Sequence, residues 1–251
     1  MLVNKFDYDS HLINAFYWRI PLQHGHIKMH KAFAINHKGT DYFVGDIHGH
    51  YSLLVEQLKQ LNFDFKNDRL FAVGDIIDRG NESEKCLELL IEPWFNSTLG
   101  NHEHLFLQGF ETYSSWELLI DNGGSWLKKW LNKTERLLSW GHLIRIQMPL
   151  AITVETQYGN IGVVHADAPE TWGVFENRTV EDIHPYIWNR LVVNGISKAK
   201  IKGVDAVFHG HNQVDKPFSV NNQLWADTLQ KTGILSIMSA EKIMSIINNN
   251  D

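Results

Sequence analysis

One cysteine in 251 residues, Cys86, leaves no partner for an internal disulfide, so a reducing, cytoplasmic setting is expected. Cys86 sits in the apolar stretch CLELLI and reads as a core thiol. No apolar run approaches the roughly 20 residues that span a bilayer, and no membrane partner is expected. The opening MLVNKFDYDSHLINAF carries two aspartates and no continuous apolar stretch, unlike a signal peptide. An excess of basic charge is also missing. The formal net charge is −6, which argues against a nucleic-acid partner, since such binders normally present a basic face. Internal repeats and low-complexity tracts are absent before the terminal NNND. His24, His26 and His30 have no acidic or cysteine companions in a metal-binding pattern. Residues 1–30 are therefore expected to be an accessory segment, ahead of one domain over 31–251.

From residue 41 onward, short apolar runs alternate with helical stretches. DYFVGD ends at Asp46, RLFAVGD at Asp75, FNSTLGN at Asn101, GNIGVVH at His165 and DAVFHGH at His211. Each reads as a buried strand with a polar end. YSLLVEQLKQL, ESEKCLELLI and EHLFLQGFETY between them read as helices. This alternation predicts an α/β domain with parallel strands. QYGN, between LAITVE and the run ending at His165, reads as a hairpin turn that makes part of the sheet antiparallel.

In α/β sheets, ligands bind beyond the carboxyl ends of the strands. Those ends here carry Asp, Asp, Asn, His and His. Hydrolysis of a phosphate monoester is slow because the dianion repels nucleophiles and the alkoxide leaves poorly. A pair of divalent cations answers both difficulties. Asp46, His48, Asp75, Asn101, His165 and His211 offer the mixture of oxygen and imidazole donors such a pair needs, suited to manganese, iron, zinc or nickel rather than calcium. Two divalent ions bring about +4. Asp46, Asp75 and a bound hydroxide leave about +1, enough to admit a phosphate dianion into an acidic protein. His211 is preferred to His209, two residues earlier, as the ligand at this strand end. His50 reads as structural. Asp167 is either an outer support of the site or a turn residue.

Gly45-Asp46-Ile47-His48-Gly49, Gly74-Asp75-Ile76-Ile77-Asp78-Arg79-Gly80 and Gly100-Asn101-His102-Glu103 resemble the three signatures of the phosphoprotein phosphatase family: GDxHG, GDxxDRG and GNHE. Pro93-Trp94-Phe95, Asn122-Gly123-Gly124, His165-Ala166-Asp167, Ile187-Trp188-Asn189-Arg190, Gly210-His211 and Asp227-Thr228 are similar to further landmarks of its bacteriophage lambda-type members. The resemblance spans roughly residues 33–240. It implies a calcineurin-like metallophosphoesterase fold, an α/β/β/α sandwich with mixed sheets, and hydrolysis of phosphoserine, phosphothreonine or phosphotyrosine in proteins or peptides by attack of a metal-bridging hydroxide. It implies that Asp46, His48 and Asp75 hold one metal, and that Asp75, Asn101, His165 and His211 hold the second, with Mn2+ expected. His102 would protonate the leaving oxygen, oriented by Asp78. Arg79 and Arg190 would grip phosphoryl oxygens, a task suited to a planar fork of donors.

Two positions depart from the family pattern. Leu99 stands where these phosphatases carry an arginine before GNHE, and Leu229-Gln230 replace a Gly-Ala pair after Asp227-Thr228. Leu99 either removes a phosphate contact or makes room for a dinucleoside polyphosphate, because related diadenosine tetraphosphate hydrolases read LGNH. Asp78 in an intact DRG signature favours the phosphatases.

Overall fold

In the computed structural model, described residues 28–174, 180–190 and 199–249 form two β-sheets stacked face to face with helices outside. The smaller sheet contains β2 (Asp41–Val44), β3 (Arg69–Ala72), β4 (Phe95–Ser97) and β10 (Ile237–Ser239), in the order β10-β2-β3-β4. β2, β3 and β4 run parallel, and β10 pairs antiparallel with β2. The larger sheet has the order β1-β5-β6-β7-β9-β8. Its strands are β1 (His30–Phe33), β5 (Ala151–Thr156), β6 (Gly159–Val164), β7 (Ala206–Gln213), β8 (Phe218–Val220) and β9 (Gln223–Asp227). β5 and β6 form the expected antiparallel hairpin, whereas β6, β7 and β9 are parallel.

Alternation along each strand explains the layers. Phe43 and Phe71 point inward and meet Phe208, Ile152, Val163 and Leu224 of the facing sheet, with the Phe43 and Phe208 rings 5.8 Å apart. Their neighbours Val44, Leu70 and Ala72 point outward, into the core shared with the helices. On that side lie α1 (Tyr51–Gln60), α2 (Ser83–Glu88), α3 (Asn101–Gln108), α4 (Tyr113–Asp121) and α5 (Thr134–Gln147). Three short helices complete the described chain: α6 (His184–Trp188), α7 (Leu229–Thr232) and α8 (Ala240–Asn248). Cys86 is fully buried, and burial pushes its thiol pKa upward.

Several boundaries differ from the sequence expectation. β2, β3 and β6 stop one or more residues short of Asp46, Asp75 and His165, which stand in the loops that follow. Asn101 is the first residue of α3 and not the end of a strand. Hydrogen bonding explains this: a strand-end residue that turns its side chain to a shared centre leaves the ladder to do so. Leu229-Gln230 begin the one-turn helix α7, which Gly233 closes in a left-handed conformation. Residues 1–27 lie outside the described residues. Of the expected accessory segment, His30 is already paired in β1, parallel to β5. Among the described residues, no helix is long and apolar enough to cross a membrane.

Candidate metal centre

The loops after β2 and β3 are bound to each other through their backbones. The N–H groups of Ile47 and His48 donate to the Asp75 carbonyl (3.2 and 2.8 Å), Gly49 N–H to Ile76, and Gly80 N–H back to the His48 carbonyl. This lacing holds residues in a region that L-amino acids avoid. In these loops His48, Asp75, Asp78 and Arg79 have φ of 44°, 46°, 73° and 65°, and His211, within β7, has 60°. Such strain persists only where surrounding contacts impose it, and it clusters at functional sites. Glu103 supplies one such contact. From the first turn of α3, its carboxylate accepts hydrogen bonds from the N–H groups of Gly100 (3.0 Å), Asp75 (2.9 Å) and Ile76 (2.8 Å). Burial, followed by the charge of Asp75, pushes its pKa up to about 7, against amide donors that favour the carboxylate.

Asp75 Oδ2 is the hub. The Nε2 atoms of His165, His48 and His102 lie 3.4, 3.8 and 3.8 Å from it, and His48 Nε2 lies 3.7 Å from Asp46 Oδ2. The second oxygen of Asp75 accepts the backbone N–H of His102. Two sets of potential ligand atoms therefore share Asp75: His48, Asp75 and His102, and Asp75, His165 and His211. His48 and His165 donate Nδ1–H to the carbonyls of Ile77 and Val73, which turns their Nε2 atoms toward the hub. His211 Nε2 donates to the Trp188 carbonyl, leaving Nδ1 as its lone-pair nitrogen. Asn101 Oδ1 lies 3.0 Å from His165 Nε2. Asp46 accepts the backbone N–H of His211, so it is held from across the molecule by the larger sheet.

The environments drive these groups apart in pKa. Burial lowers His48 far below its ordinary value and takes His211 down to about 3, which keeps both imidazoles neutral and able to act as ligands. Burial opposes ionisation of Asp75 as well, but His165 and His102 outweigh it and hold this carboxyl well below the usual range. Asp46 goes the other way, raised by burial and then by the charges of Asp227 and Asp75. His102 is raised despite burial, because Asp75 and Asp78 favour imidazolium. Its Nδ1 donates to Asp78 Oδ2 at 2.6 Å, and Asp78 Oδ1 accepts the indole N–H of Trp126 at 2.6 Å.

Asp46, His48, Asp75, Asp78, Asn101, His102, His165 and His211 are all buried and converge here. Arg79 and Arg190 are exposed at the mouth. Arg79 donates to His48 Nε2 at 2.6 Å, and Arg190 donates to the His211 carbonyl at 3.0 Å. His209 stacks on Trp225 with ring centroids 4.7 Å apart and belongs to neither ligand set. His50 donates to the Ile47 carbonyl, and Asp167 accepts from Asn189. Leu99 is fully buried in the core, so its side chain packs with apolar neighbours and not with the polar cluster. Three residues were missed from sequence. Glu103 was visible as the last letter of GNHE, and Asp227 as the polar end of LWAD. Nothing local marks Trp126 as the partner of Asp78, because it comes from 48 residues away.

The donor set fits divalent cations. Neutral imidazoles and carboxylates point lone pairs at one another across distances too long for good hydrogen bonds, an arrangement that a shared cation would stabilise. A cation already caps one of these lone pairs, the Arg79 guanidinium on His48. Glycines permit the convergence: a Cβ on Gly210 would collide with Asp46 Oδ1, and one on Gly100 with Asp75 Oδ1. These His/Asp groupings suit a dinuclear centre.

Comparison with known proteins agrees. The family model for calcineurin-like phosphoesterases matches residues 42–215. Serine/threonine-protein phosphatase 2 of Salmonella typhimurium (strain LT2) is 38% identical over 195 residues, covering 74% of this chain and 86% of that protein. The symmetrical bis(5'-nucleosyl)-tetraphosphatase of Wigglesworthia glossinidia brevipalpis is 45% identical, but over 66 residues that cover 26% of this chain and 24% of that protein. A solved structure described as a candidate diadenosine tetraphosphatase superposes with a TM-score of 0.59 at 19% identity, covering 86% of this chain and 95% of that one, which is a likeness of fold.

Two outcomes follow from this packing. Gly210→Ala should push Asp46 aside and weaken divalent-cation binding by roughly ten- to a hundredfold, as when the residues that orient a metal ligand are disturbed; calorimetric titration with Mn2+ measures it. Glu103→Gln should place an amide N–H against backbone donors. The expected loss is about 2–3 kcal/mol, read as a drop in Tm of about 5–10 °C for a chain of this size. Unchanged melting would mean that Glu103 does not staple the two loops.

Proposed function

The chain belongs to the calcineurin-like phosphoesterase family, and from that premise we propose that it is a metal-dependent protein phosphatase acting on phosphoserine and phosphothreonine monoesters in proteins or peptides. It is a phosphoric monoester hydrolase by its likeness, over most of both chains, to a serine/threonine-protein phosphatase. The observation that carries the reading is the Asp78–His102 pair, 2.6 Å apart and placed beside the Asp75 hub.

Asp46, His48 and Asp75 would hold one divalent cation, and Asp75, Asn101, His165 and His211 the other, with manganese the expected ion. Bound there, the two cations supply a water of lowered pKa and positive charge for the phosphoryl oxygens. His102 is assigned the proton for the departing serine or threonine oxygen. Its Nδ1–H is committed to Asp78, which leaves Nε2, 3.8 Å from Asp75 Oδ2 and 3.4 Å from Arg79 Nη2, to carry the second proton once Arg79 has turned away. Asp78, itself fixed by Trp126, sets the orientation of the ring. Arg79 and Arg190 are assigned to the phosphoryl oxygens. When His48 commits its lone pair to a cation, Arg79 must release it, and its paired N–H donors become available to an anion. A likeness covering 74% of this chain supports a phosphatase over a dinucleoside polyphosphate hydrolase, because the tetraphosphatase match covers 26% of it. A phosphoprotein partner and a cytoplasmic setting complete the reading.

A substrate panel on purified protein with added Mn2+ tests the assignment: phosphoserine and phosphotyrosine peptides, nitrophenyl phosphate and diadenosine tetraphosphate. Turnover of the phosphoserine peptide should exceed that of the dinucleotide; the reverse order would overturn the proposal. His102→Asn should retain its metal and lose about 10²–10⁴-fold in rate on the peptide, the usual worth of general acid catalysis. The loss should be smaller on nitrophenyl phosphate, whose leaving group needs less protonation. Equal losses on both would remove His102 from the proton-donor role.

A further inference from the structure

Asp227 ends β9, directly behind the Gly45–Asp46 turn. A Cβ on Gly45 would clash with the Ala226 carbonyl and lie 3.3 Å from Asp227 Cα, so the two segments are in close backbone contact. The Asp227 side chain is 1% exposed, and neither of its carboxylate oxygens has a hydrogen-bond partner. The other buried acids of the centre are provided for by the fold. Asp46 accepts from His211, Asp75 and Glu103 accept backbone N–H groups, and Asp78 accepts from His102 and Trp126. A buried carboxylate without donors is costly unless positive charge accompanies it. The charges that act on Asp227 are those of the site: Asp75, His165, Arg79 and Arg190. Like Asp46 it belongs to neither set of converging ligand atoms, but Asp46 Oδ2 lies 3.7 Å from His48 Nε2, whereas Asp227 has no such approach to an imidazole among the described residues, which places it behind Asp46.

We propose that Asp227 is a further carboxylate of the cation centre, standing behind Asp46 and strengthening divalent-cation binding on that side without being a direct ligand. This rests on the dinuclear reading above. The physical logic is electrostatic. An extra negative charge in a region of low dielectric deepens the potential that a cation feels, and it costs the fold something whenever no cation is there.

That double effect makes the test specific. Mn2+ binding to the full chain would be measured by calorimetric titration, with melting temperature recorded in EDTA and in saturating Mn2+, for wild type, Asp227→Asn and Asp227→Glu. Asn keeps the shape and removes the charge, whereas Glu keeps the charge. Asp227→Asn is expected to weaken Mn2+ binding by roughly ten- to a hundredfold, the range seen when outer partners of metal ligands are removed. Its Tm in EDTA should be equal to or above that of wild type. Asp227→Glu should retain more affinity than Asn. Wild-type affinity in Asp227→Asn would overturn the proposal while leaving the dinuclear reading standing. A lower Tm in EDTA, with Asn and Glu equally impaired, would identify a structural role and overturn it too. Absence of Mn2+ binding in wild type would bring down the dinuclear reading and this proposal together.

Discussion

Mutual repulsion among buried carboxylates governs this molecule. Asp46, Asp75 and Asp227 are each at most 2% exposed; beyond burial, Asp227 and Asp75 oppose ionisation of Asp46, and Asp75 opposes that of Asp227. No fold gathers three such groups without compensation. Compensation comes in three forms: imidazoles around Asp75, backbone N–H groups to Asp46 and Asp75, and arginines at the mouth. It is incomplete, as the unpartnered oxygens of Asp227 and the raised pKa of Asp46 indicate. The remaining deficit of positive charge is what a divalent-cation centre relieves.

The same constraint accounts for the backbone. To aim Asp75, Asp78 and Arg79 from one short loop, the chain enters the left-handed region at all three. Those conformations cost of order 1–3 kcal/mol each, so the loop needs external support. The cross-loop hydrogen bonds to Asp75 and Ile76 provide part of it, and Glu103 provides more by gathering several amide donors at once. Support and chemistry thus come from adjacent residues of one helix turn: His102 faces the hub, and Glu103 faces the loop that carries the hub. Trp126 performs the corresponding service for Asp78, while stacking on Phe106 in the core.

How much of this was legible in sequence follows from where each signal resides. The alternation of strands and helices and the residues after each strand were readable, because strand ends are local and the glycines that permit close approach sit beside the ligands. Alternation alone would place His209 and His211, two residues apart, on one face of β7; what separates them is a register shift between His209 and Gln213, with His211 at positive φ, which no local pattern announces. The ends of β2, β3 and β6 were placed too far along, since Asp46, Asp75 and His165 follow the ladder, whereas β7 runs past His211 to Gln213. Leu99 looked like a missing phosphate contact, but its side chain lies in the apolar core; a missing charge in a motif says nothing about which way the replacement points. Trp126 and Asp227 depend on segments distant in sequence meeting in space, which no local pattern encodes.

If Asp227 serves the centre as proposed, it also changes the charge that a substrate meets. Counting only Asp46, Asp75 and a bound hydroxide against two divalent ions leaves about +1, whereas an ionised Asp227 brings the centre to about neutral. Burial and the neighbouring Asp75 hold the Asp227 carboxyl up to about 6; positive charge brought close to it would favour its ionised form. On the proposed assignment, a neutral centre would leave the long-range attraction of a phosphate dianion to the exposed Arg79 and Arg190. These two arginines grip opposite sides of the centre, Arg79 at His48 and Arg190 at His211. Attraction divided in this way favours a ligand small enough to place one phosphoryl group between both guanidinium groups and over the Asp75 hub. A monoester on a protein surface meets that description without requiring the cluster to accommodate a second nucleotide.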